Sequence, residues 1–164
     1  VLAVGAPFAP ALAAEIDRYL DDSGAAGIMV LQDGLVRYER YGLAFGPEAR
    51  WTSFSVAKSF TSTLLGAAIK DGAIASIDDP VTRYLPALAG TAYDGVSVRQ
   101  LATMTSGVKW NEDYADPDSD VARMLLVEPV ADESQAVTYA RQLTREAPAG
   151  AKWVYKTLET NLLG

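Results

Sequence analysis

The sequence contains neither cysteine nor histidine among its 164 residues. Disulfide bonds, thiolate nucleophiles, zinc sites built on Cys or His, and a Ser-His-Asp triad are therefore excluded. Any nucleophilic catalysis must take its general base from another residue type. Proteins without cysteine occur in reducing and oxidising compartments alike, so this absence does not separate a cytoplasmic from a periplasmic location.

Long apolar runs and basic clusters are also missing. No run reaches the ~18 apolar residues that a membrane-spanning helix needs, which predicts that no segment crosses a bilayer. The net charge is −7 and no group of Lys and Arg stands out, which argues against a nucleic-acid partner. Acidic residues concentrate between Glu112 and Glu133, where Arg123 is the only positive charge. This composition is typical of a solvated face.

The first fourteen residues, "VLAVGAPFAPALAA", are small and apolar but include no basic residue. They fit either the tail of a signal peptide or an ordered arm, and the two prolines favour the arm. The remaining composition, 49% apolar and 21% charged, is that of a soluble globular chain.

Apolar periodicity and turn residues predict the order of elements along the chain. Asp33-Gly34 lies between two β-rich runs and predicts a two-residue hairpin turn. Ser97 with Gln100 three residues later predicts a capping box. Helices are expected over 11–22, 56–70, 98–106, 121–127 and 133–145, and the segment 152–164 changes from strand to helical character after Thr157. The segment 77–89 carries two prolines and is expected to be irregular or briefly helical.

The helix over 56–70 is apolar around most of its circumference, which predicts a central, buried helix. Two antiparallel strands alone are marginally stable, and a sheet generally needs three or more with one face covered. The sequence provides the beginning of a sheet without its completion, which suggests a truncated chain.

The stretch "SFSVAKSF" places Ser55 at the start of this helix and Lys58 one turn along. Residues three apart share a helix face, so the lysine nitrogen can reach the serine hydroxyl. Packing among Phe54, Phe60 and Leu64 would remove water from Lys58 and lower its pKa, by up to ~3–5 units for a fully buried lysine. A neutral amine could then accept the serine proton. The alternative is structural, because a serine before a helix is most often an N-cap that contributes ~1 kcal/mol.

Three segments, "SFSVAKSF", "LATMTSG" and "PAGAKWVYKTLETNLLG", stand in an order and spacing that resemble the serine β-lactamase and penicillin-binding-protein superfamily. The similarity is strongest to its class C-related esterases and amidases, the branch of 6-aminohexanoate-dimer hydrolase, and it runs from about residue 11 to the C-terminus. "DGAIASIDDPVTRYLP" and "WNEDYADPDSD" are also similar to that branch. The resemblance implies a β-lactamase-like α/β (α+β) fold, with helices packed on an antiparallel sheet and an all-helical subdomain. It implies domains at 1–54 and 55–164, the second beginning with the nucleophile helix.

The same resemblance implies roles for individual residues. Ser55 matches the acylated nucleophile, and its backbone N–H would be one oxyanion donor. Lys58 matches the lysine that accepts or relays the proton, and Tyr155 matches the tyrosine of the Y-x-N element. Tyr155 could instead be a core aromatic beside Trp153. No metal or cofactor is implied, and a periplasmic or secreted location is implied while a cytoplasmic one stays open.

The chain departs from the family pattern in two places. Lys156 and Thr157 follow Tyr155, where the pattern has a small residue and asparagine. Threonine cannot present both an amide carbonyl and an NH₂ group, so recognition of a β-lactam side chain is in doubt. The family's K-T-G-like strand, which supplies the second oxyanion donor, has no counterpart before Gly164.

Two functions of different classes remain after this comparison. The first is a serine hydrolase that cleaves a small ester or short amide through an acyl-enzyme, with β-lactamase or D-alanyl-D-alanine carboxypeptidase as a variant. This chain would then be an N-terminal part that needs a companion C-terminal polypeptide and is inactive alone. Tyr114, Trp110 and Thr157 are its candidate substrate contacts, although the two aromatic residues could equally be packing residues. The second is a non-catalytic binding module with the same fold.

Overall fold

A computed structural model describes residues 2–164, which form two compact units, residues 2–52 and 53–164. The boundary lies two residues before the one expected from the sequence. The strands are β1 (Ala3–Val4), β2 (Gly27–Gln32) and β3 (Leu35–Tyr41), and the helices are α1 (Pro10–Ser23), α2 (Ala57–Lys70), α3 (Val98–Ala102), α4 (Asp120–Leu126), α5 (Gln135–Ala140) and α6 (Thr157–Leu163). Short 3-10 helices occur at Phe54–Val56, Val81–Arg83 and Pro86–Leu88. None of the helices within residues 2–164 combines the length and apolar character that a bilayer crossing requires.

The first unit contains a three-stranded sheet in the order β1-β3-β2. β2 and β3 form the predicted hairpin, in which Asp33 and Gly34 both have positive φ, 53° and 75°. Such a turn matches the twist of the two strands, and Asp-Gly is a preferred pair for it. β1 pairs with β3 in parallel, so the sheet of this unit is mixed and not wholly antiparallel as expected.

Helix α1 is fixed to β3 by polar contacts around a buried leucine. Leu20 is 1% exposed. Arg40 forms ion pairs with Asp17 and Asp21, both at 3.0 Å, and the Tyr38 hydroxyl donates a hydrogen bond to Asp17. Gly24 ends the helix in a left-handed conformation with φ of 62°, the usual glycine stop. The helix predicted over 11–22 is confirmed.

The core of the second unit lies around α6. Helices α3, α4 and α5 contact it, and their apolar side chains join those of the connecting segments in one cluster. The side chains with no exposed surface include Leu88, Tyr93, Val96, Val108 and Leu158. α3 begins with the predicted capping box, in which Ser97 and Gln100 exchange hydrogen bonds of 3.2 and 2.9 Å.

Helix α2 is not the buried helix that its composition predicts. Leu65 is its only buried residue, at 6% exposed, whereas Phe60 and Leu64 are each 68% exposed. Within the unit α2 contacts α6, and Leu65 joins the apolar cluster to which α6 also contributes. A helix that is apolar on all sides needs neighbours on several sides to be buried. The expectation is therefore wrong for this chain as described.

Three further predictions differ from the structure. The helix expected over 98–106 ends at Ala102, and Met104 just beyond it has a positive φ of 55°. The helix expected over 133–145 is confined to Gln135–Ala140, because the chain after it turns back and Arg145 forms a β-bridge with Val108. The segment 152–156, expected to have strand character, forms no strand. Its backbone is tied instead to the end of α3, where the Val154 N–H donates to the Met104 carbonyl at 3.1 Å.

Candidate active site

Ser55 lies in the 3-10 helix Phe54–Val56, which leads directly into α2. Its hydroxyl accepts hydrogen bonds from the Lys58 and Tyr155 side chains, and no side-chain cap occurs at the start of either helix. Ser55 therefore does not act as an N-cap, the structural role that the sequence left open. Phe54, just before it, has φ of 44°, a conformation that costs a non-glycine residue energy and that concentrates at functional sites.

Lys58 and Tyr155 converge on the Ser55 hydroxyl. The Lys58 Nζ lies 3.0 Å from the Ser55 Oγ, and the Tyr155 hydroxyl donates to the same oxygen at 2.7 Å. The Lys58 nitrogen also stands 5.1 Å from the centre of the Tyr155 ring, within the range of a cation–π contact. The three side chains that the motifs single out, 100 residues apart at the extremes, thus meet within the second unit.

Two backbone hydrogen bonds bring Tyr155 to this position. The Gly150 N–H donates to the Thr105 carbonyl at 2.7 Å, and the Val154 N–H donates to the Met104 carbonyl. α6 begins at Thr157, two residues after the tyrosine. Tyr155 is therefore held between a tied loop and the first turn of a core helix.

The environment shifts the acidity of Tyr155. Burial raises its pKa, but the hydrogen bonds to Ser55 and Lys58 and the charge of Lys58 lower it by more, so the pKa falls below the ordinary value of 10.0. A lower pKa increases the share of phenolate near neutral pH. The phenolate form of Tyr155 can accept a proton from the Ser55 hydroxyl, to which the neutral phenol donates a hydrogen bond.

The apolar surroundings expected for Lys58 are not present. Phe54 is 77% exposed, and Phe60 and Leu64 are each 68% exposed. The expectation that these side chains remove water from the lysine is wrong for residues 2–164. Lys58 itself is half-buried, against Ser55 and Tyr155.

Glu112 is the polar group that sequence reasoning missed. Each of its carboxylate oxygens accepts two hydrogen bonds. One oxygen accepts from the Tyr114 hydroxyl at 2.7 Å and from the Thr157 hydroxyl, and the other accepts from the Thr157 N–H at 2.9 Å and from the Trp110 indole. The alternation of Trp110, Glu112 and Tyr114 was the available signal, but Glu112 also opens the acidic stretch that is typical of a solvated face.

The hydrogen bonds to Glu112 limit which of Trp110, Tyr114 and Thr157 can contact a substrate. Trp110 is only 8% exposed and packs edge-on against Tyr139, with ring centres 6.2 Å apart. It has the packing role that the sequence left open. Tyr114 is 70% exposed and its hydroxyl lies 3.2 Å from the Thr157 hydroxyl. Thr157 donates its one hydroxyl proton to Glu112, so its oxygen remains as an acceptor.

A cleft of about 810 Å³ opens beside the convergent groups. Its walls include Ser55, Lys58, Tyr114, Met124, Thr157 and Asn161. The volume is that of a small-molecule site, and the walls combine apolar and polar groups as such sites do. Within residues 2–164, no three His, Cys, Asp or Glu side chains are placed to hold a metal ion together.

Comparison with known proteins gives a family match over most of the chain. The family model described as Beta-lactamase matches residues 12–164. A relative named 6-aminohexanoate-dimer hydrolase, from Paenarthrobacter ureafaciens, is 39% identical over 107 residues, which are 65% of this chain and 27% of that protein.

Solved structures show the same fold. A candidate beta-lactamase from Bacteroides dorei DSM 17855 matches with a TM-score of 0.73 and 26% identity, over 96% of this chain and 45% of that one. A class C beta lactamase from Rhodobacter sphaeroides matches with a TM-score of 0.64 and 23% identity, over 94% of this chain and 42% of that one. The resemblance and the fold class inferred from the motifs are confirmed. The chain spans between about a quarter and a half of the length of these proteins.

The Glu112 contacts predict a pH-dependent loss of stability in Glu112→Gln. Burial raises the pKa of Glu112, but the hydrogen bonds from Thr157, Tyr114 and Trp110 lower it by more, to below its ordinary value of 4.5. A lowered pKa stabilises the fold above pH 4.5, and that stability is lost as pH falls through the folded-state pKa. We expect Glu112→Gln to lower the free energy of unfolding near neutral pH by about 1–3 kcal/mol.

Urea unfolding at several pH values measures this difference, which should narrow as the solution is acidified. Glu128→Gln, at an exposed position of the same acidic stretch, is the matched control and should change the free energy of unfolding by less than about 0.5 kcal/mol. Equal stability of Glu112→Gln and the unmodified chain near neutral pH would contradict the role given to this carboxylate.

Proposed function

Because this chain belongs to the Beta-lactamase family, we propose that it carries the reactive groups of a serine hydrolase that cleaves an ester or a short amide. The observation that supports the proposal is the meeting of Lys58 and Tyr155 at the Ser55 oxygen, at 3.0 and 2.7 Å. A nucleophile within hydrogen-bond reach of a base, with a third group orienting the base, is the arrangement that covalent catalysis requires.

In the proposed reaction, Tyr155 as phenolate takes the proton of Ser55 while the Oγ attacks the substrate carbonyl carbon. The carbonyl oxygen becomes an oxyanion, and the Ser55 backbone N–H, in the first turn of the 3-10 helix, donates to it. The tyrosine then returns the proton to the leaving alcohol or amine, which departs and leaves an acyl-serine. Water attacks this ester with Tyr155 again as base, and the acid is released.

Lys58 supports the phenolate in this scheme. Its nitrogen contacts both the serine oxygen and the tyrosine ring, and its charge lowers the pKa of Tyr155.

The substrate class follows from Thr157 and its neighbours. The Thr157 hydroxyl is engaged by Glu112 and cannot act as both donor and acceptor to a substrate amide. This supports an ester or a short amide in preference to a β-lactam with an amide side chain. Hydrolysis of a β-lactam is the second candidate, favoured by the family description and by relatives named Beta-lactamase.

Full activity is proposed to need polypeptide equivalent to the rest of the relatives' length. The aligned part covers 27% of the 6-aminohexanoate-dimer hydrolase, and Phe60 and Leu64 beside the site are exposed. By resemblance, the further part carries the second oxyanion donor. Absence of one such donor typically costs ~10²–10³ in turnover, so this chain alone is expected to acylate slowly and to turn over little.

Covalent labelling of this chain tests the nucleophile. A fluorophosphonate probe reacts when a serine oxygen attacks phosphorus and fluoride leaves, so one probe should attach to Ser55 in the folded chain. Ser55→Ala should abolish the adduct, and Tyr155→Phe should slow labelling by ~10²-fold or more, the usual contribution of general acid–base catalysis. Intact-mass measurement over time follows the reaction.

Ser62→Ala is the matched control, since Ser62 is an exposed serine of α2 whose hydroxyl donates to the Ser59 carbonyl. It should label at the rate of the unmodified chain. A folded chain that never labels, or that labels equally in Ser55→Ala, would refute the proposed nucleophile. A chain that binds esters without labelling would instead support the non-catalytic binding module.

The pH dependence of labelling tests the base. The labelling rate should rise with pH as Tyr155 loses its proton, with a midpoint below 10.0. Lys58→Met removes a group that lowers the pKa of Tyr155, so its midpoint should move to higher pH, apart from any change in the maximal rate. Lys70→Met, at the exposed last residue of α2, should leave the midpoint unchanged. Coincident midpoints for Lys58→Met and the unmodified chain would rule out this role of Lys58.

A further inference from the structure

Lys156 and Glu159 are the two charged side chains in the core of residues 2–164, and neither has any exposed surface. The Lys156 Nζ lies 3.6 Å from a carboxylate oxygen of Glu159. The pair stands at the beginning of α6, and Lys156 is the residue between Tyr155 and Thr157.

The pair connects the backbone on both sides of Tyr155. The Lys156 Nζ also contacts the Val154 carbonyl, at 3.4 Å, immediately before the tyrosine. Its other partner, Glu159, lies in the first turn of the helix that follows. The ammonium group therefore joins the residue before Tyr155 to the helix after it.

Glu159 is in turn fixed to a different part of the core. Its oxygen accepts a hydrogen bond from the Ser106 hydroxyl, and that hydroxyl oxygen accepts one from the Val108 N–H at 3.1 Å. Ser106 has no exposed surface and belongs to the segment after α3. Through Glu159 and Lys156, the Tyr155 backbone is tied to this segment.

A buried ion pair adds little net free energy to the stability of a core. Removing two charges from water costs several kcal/mol for each ion, and apolar residues of similar volume often serve stability as well or better. Buried ionic groups can instead select one arrangement of the chain. Here the arrangement selected is that of Val154–Thr157, which presents the tyrosine hydroxyl to Ser55.

We propose that Lys156 and Glu159 are positioning residues, whose buried contact holds the Tyr155 hydroxyl within hydrogen-bond reach of Ser55. The proposal rests on the proposed function, in which Tyr155 is the base. Neither residue touches the serine; both act through the backbone of the tyrosine. Loss of the pair should move the Tyr155 hydroxyl out of contact with Ser55 and Lys58, the two groups that lower its pKa.

The groups that act on the Glu159 carboxyl are Ser106, Lys156 and Tyr93. Burial raises the pKa of Glu159 to about 7, while Ser106 and Lys156 oppose that rise. Burial raises the pKa of Tyr93, and the charges of Glu159 and Asp120 add to that rise. Since Glu159 has a raised pKa, its contribution to stability is complete below pH 4.5 and is lost as pH rises through about 7.

The test replaces the pair with uncharged side chains of similar length, in the double variant Lys156→Met/Glu159→Gln. The matched control is Lys152→Met/Glu146→Gln, which removes an exposed pair at 3.0 Å from the segment just before Tyr155. Thermal unfolding establishes that each chain folds. The Tyr155 titration is followed by NMR with tyrosine labelled at the ring carbon that bears the hydroxyl, with Tyr155→Phe to assign the resonance.

In the double variant, the pKa of Tyr155 should rise toward 10, and phosphonate labelling of Ser55 should slow at least tenfold with its pH midpoint moved upward. The exposed control should match the unmodified chain in all three readouts. A folded double variant with an unchanged Tyr155 pKa and a labelling rate within twofold of the unmodified chain would overturn the proposal.

Failure of the proposed function and failure of the positioning role can be told apart. Should Ser55 never label in the unmodified chain, the proposed function fails, while the Tyr155 titration still decides whether the pair positions the phenol. Should the double variant not fold, Ser106→Ala keeps Lys156 and Glu159 in place and removes the hydrogen bond to Glu159, together with the one that the hydroxyl accepts from the Val108 N–H. A folded Ser106→Ala chain should show a smaller rise in the pKa of Tyr155, and no rise would count against the proposal.

Discussion

Two hydrogen bonds to one oxygen organise the second unit of this protein. Tyr155 and Lys58 reach the Ser55 Oγ at 2.7 and 3.0 Å from opposite ends of the unit's sequence. Neither contact alone distinguishes a reactive serine from an ordinary surface hydroxyl. Together they place a phenol of lowered pKa and a lysine nitrogen at one serine hydroxyl, in a chain that contains no histidine. The chemistry proposed for the chain requires this geometry.

Two groups of polar contacts hold the segment that carries the phenol. The Glu112 carboxylate accepts hydrogen bonds from the N–H and the hydroxyl of Thr157, a residue of the cleft wall. In the core, Lys156 of the same segment contacts Glu159 of α6. Both residues that follow Tyr155 are therefore held by polar side-chain contacts, and the proposed role of the phenol depends on such pre-organisation.

Much of the fold and the site could be predicted because the signals are local. Asp33-Gly34 determines a turn through its own backbone preferences, and Ser97 with Gln100 forms a capping box from residues three apart. Ser55 and Lys58 share a helix face, so their contact follows from helix geometry. Tyr155 required the resemblance to a family, since no local pattern connects residues 100 positions apart.

The features that could not be predicted depend on packing between distant segments. The prediction that α2 is buried was wrong because the apolar surface of a helix does not determine how many neighbouring elements cover it. Glu112 resembles a solvated acid in sequence, and its four donors come from three residues, one of them 45 positions away. The burial of Lys156 beside Glu159 depends on packing between α6 and the segment after α3, which no local pattern indicates.

The most direct test of the central claim is a crystal structure of the chain that resolves the Ser55, Lys58 and Tyr155 side chains. The account predicts the Tyr155 hydroxyl and the Lys58 nitrogen at about 2.7 and 3.0 Å from the Ser55 oxygen. A correctly folded second unit with the tyrosine hydroxyl beyond about 4 Å, outside hydrogen-bond reach, would contradict it.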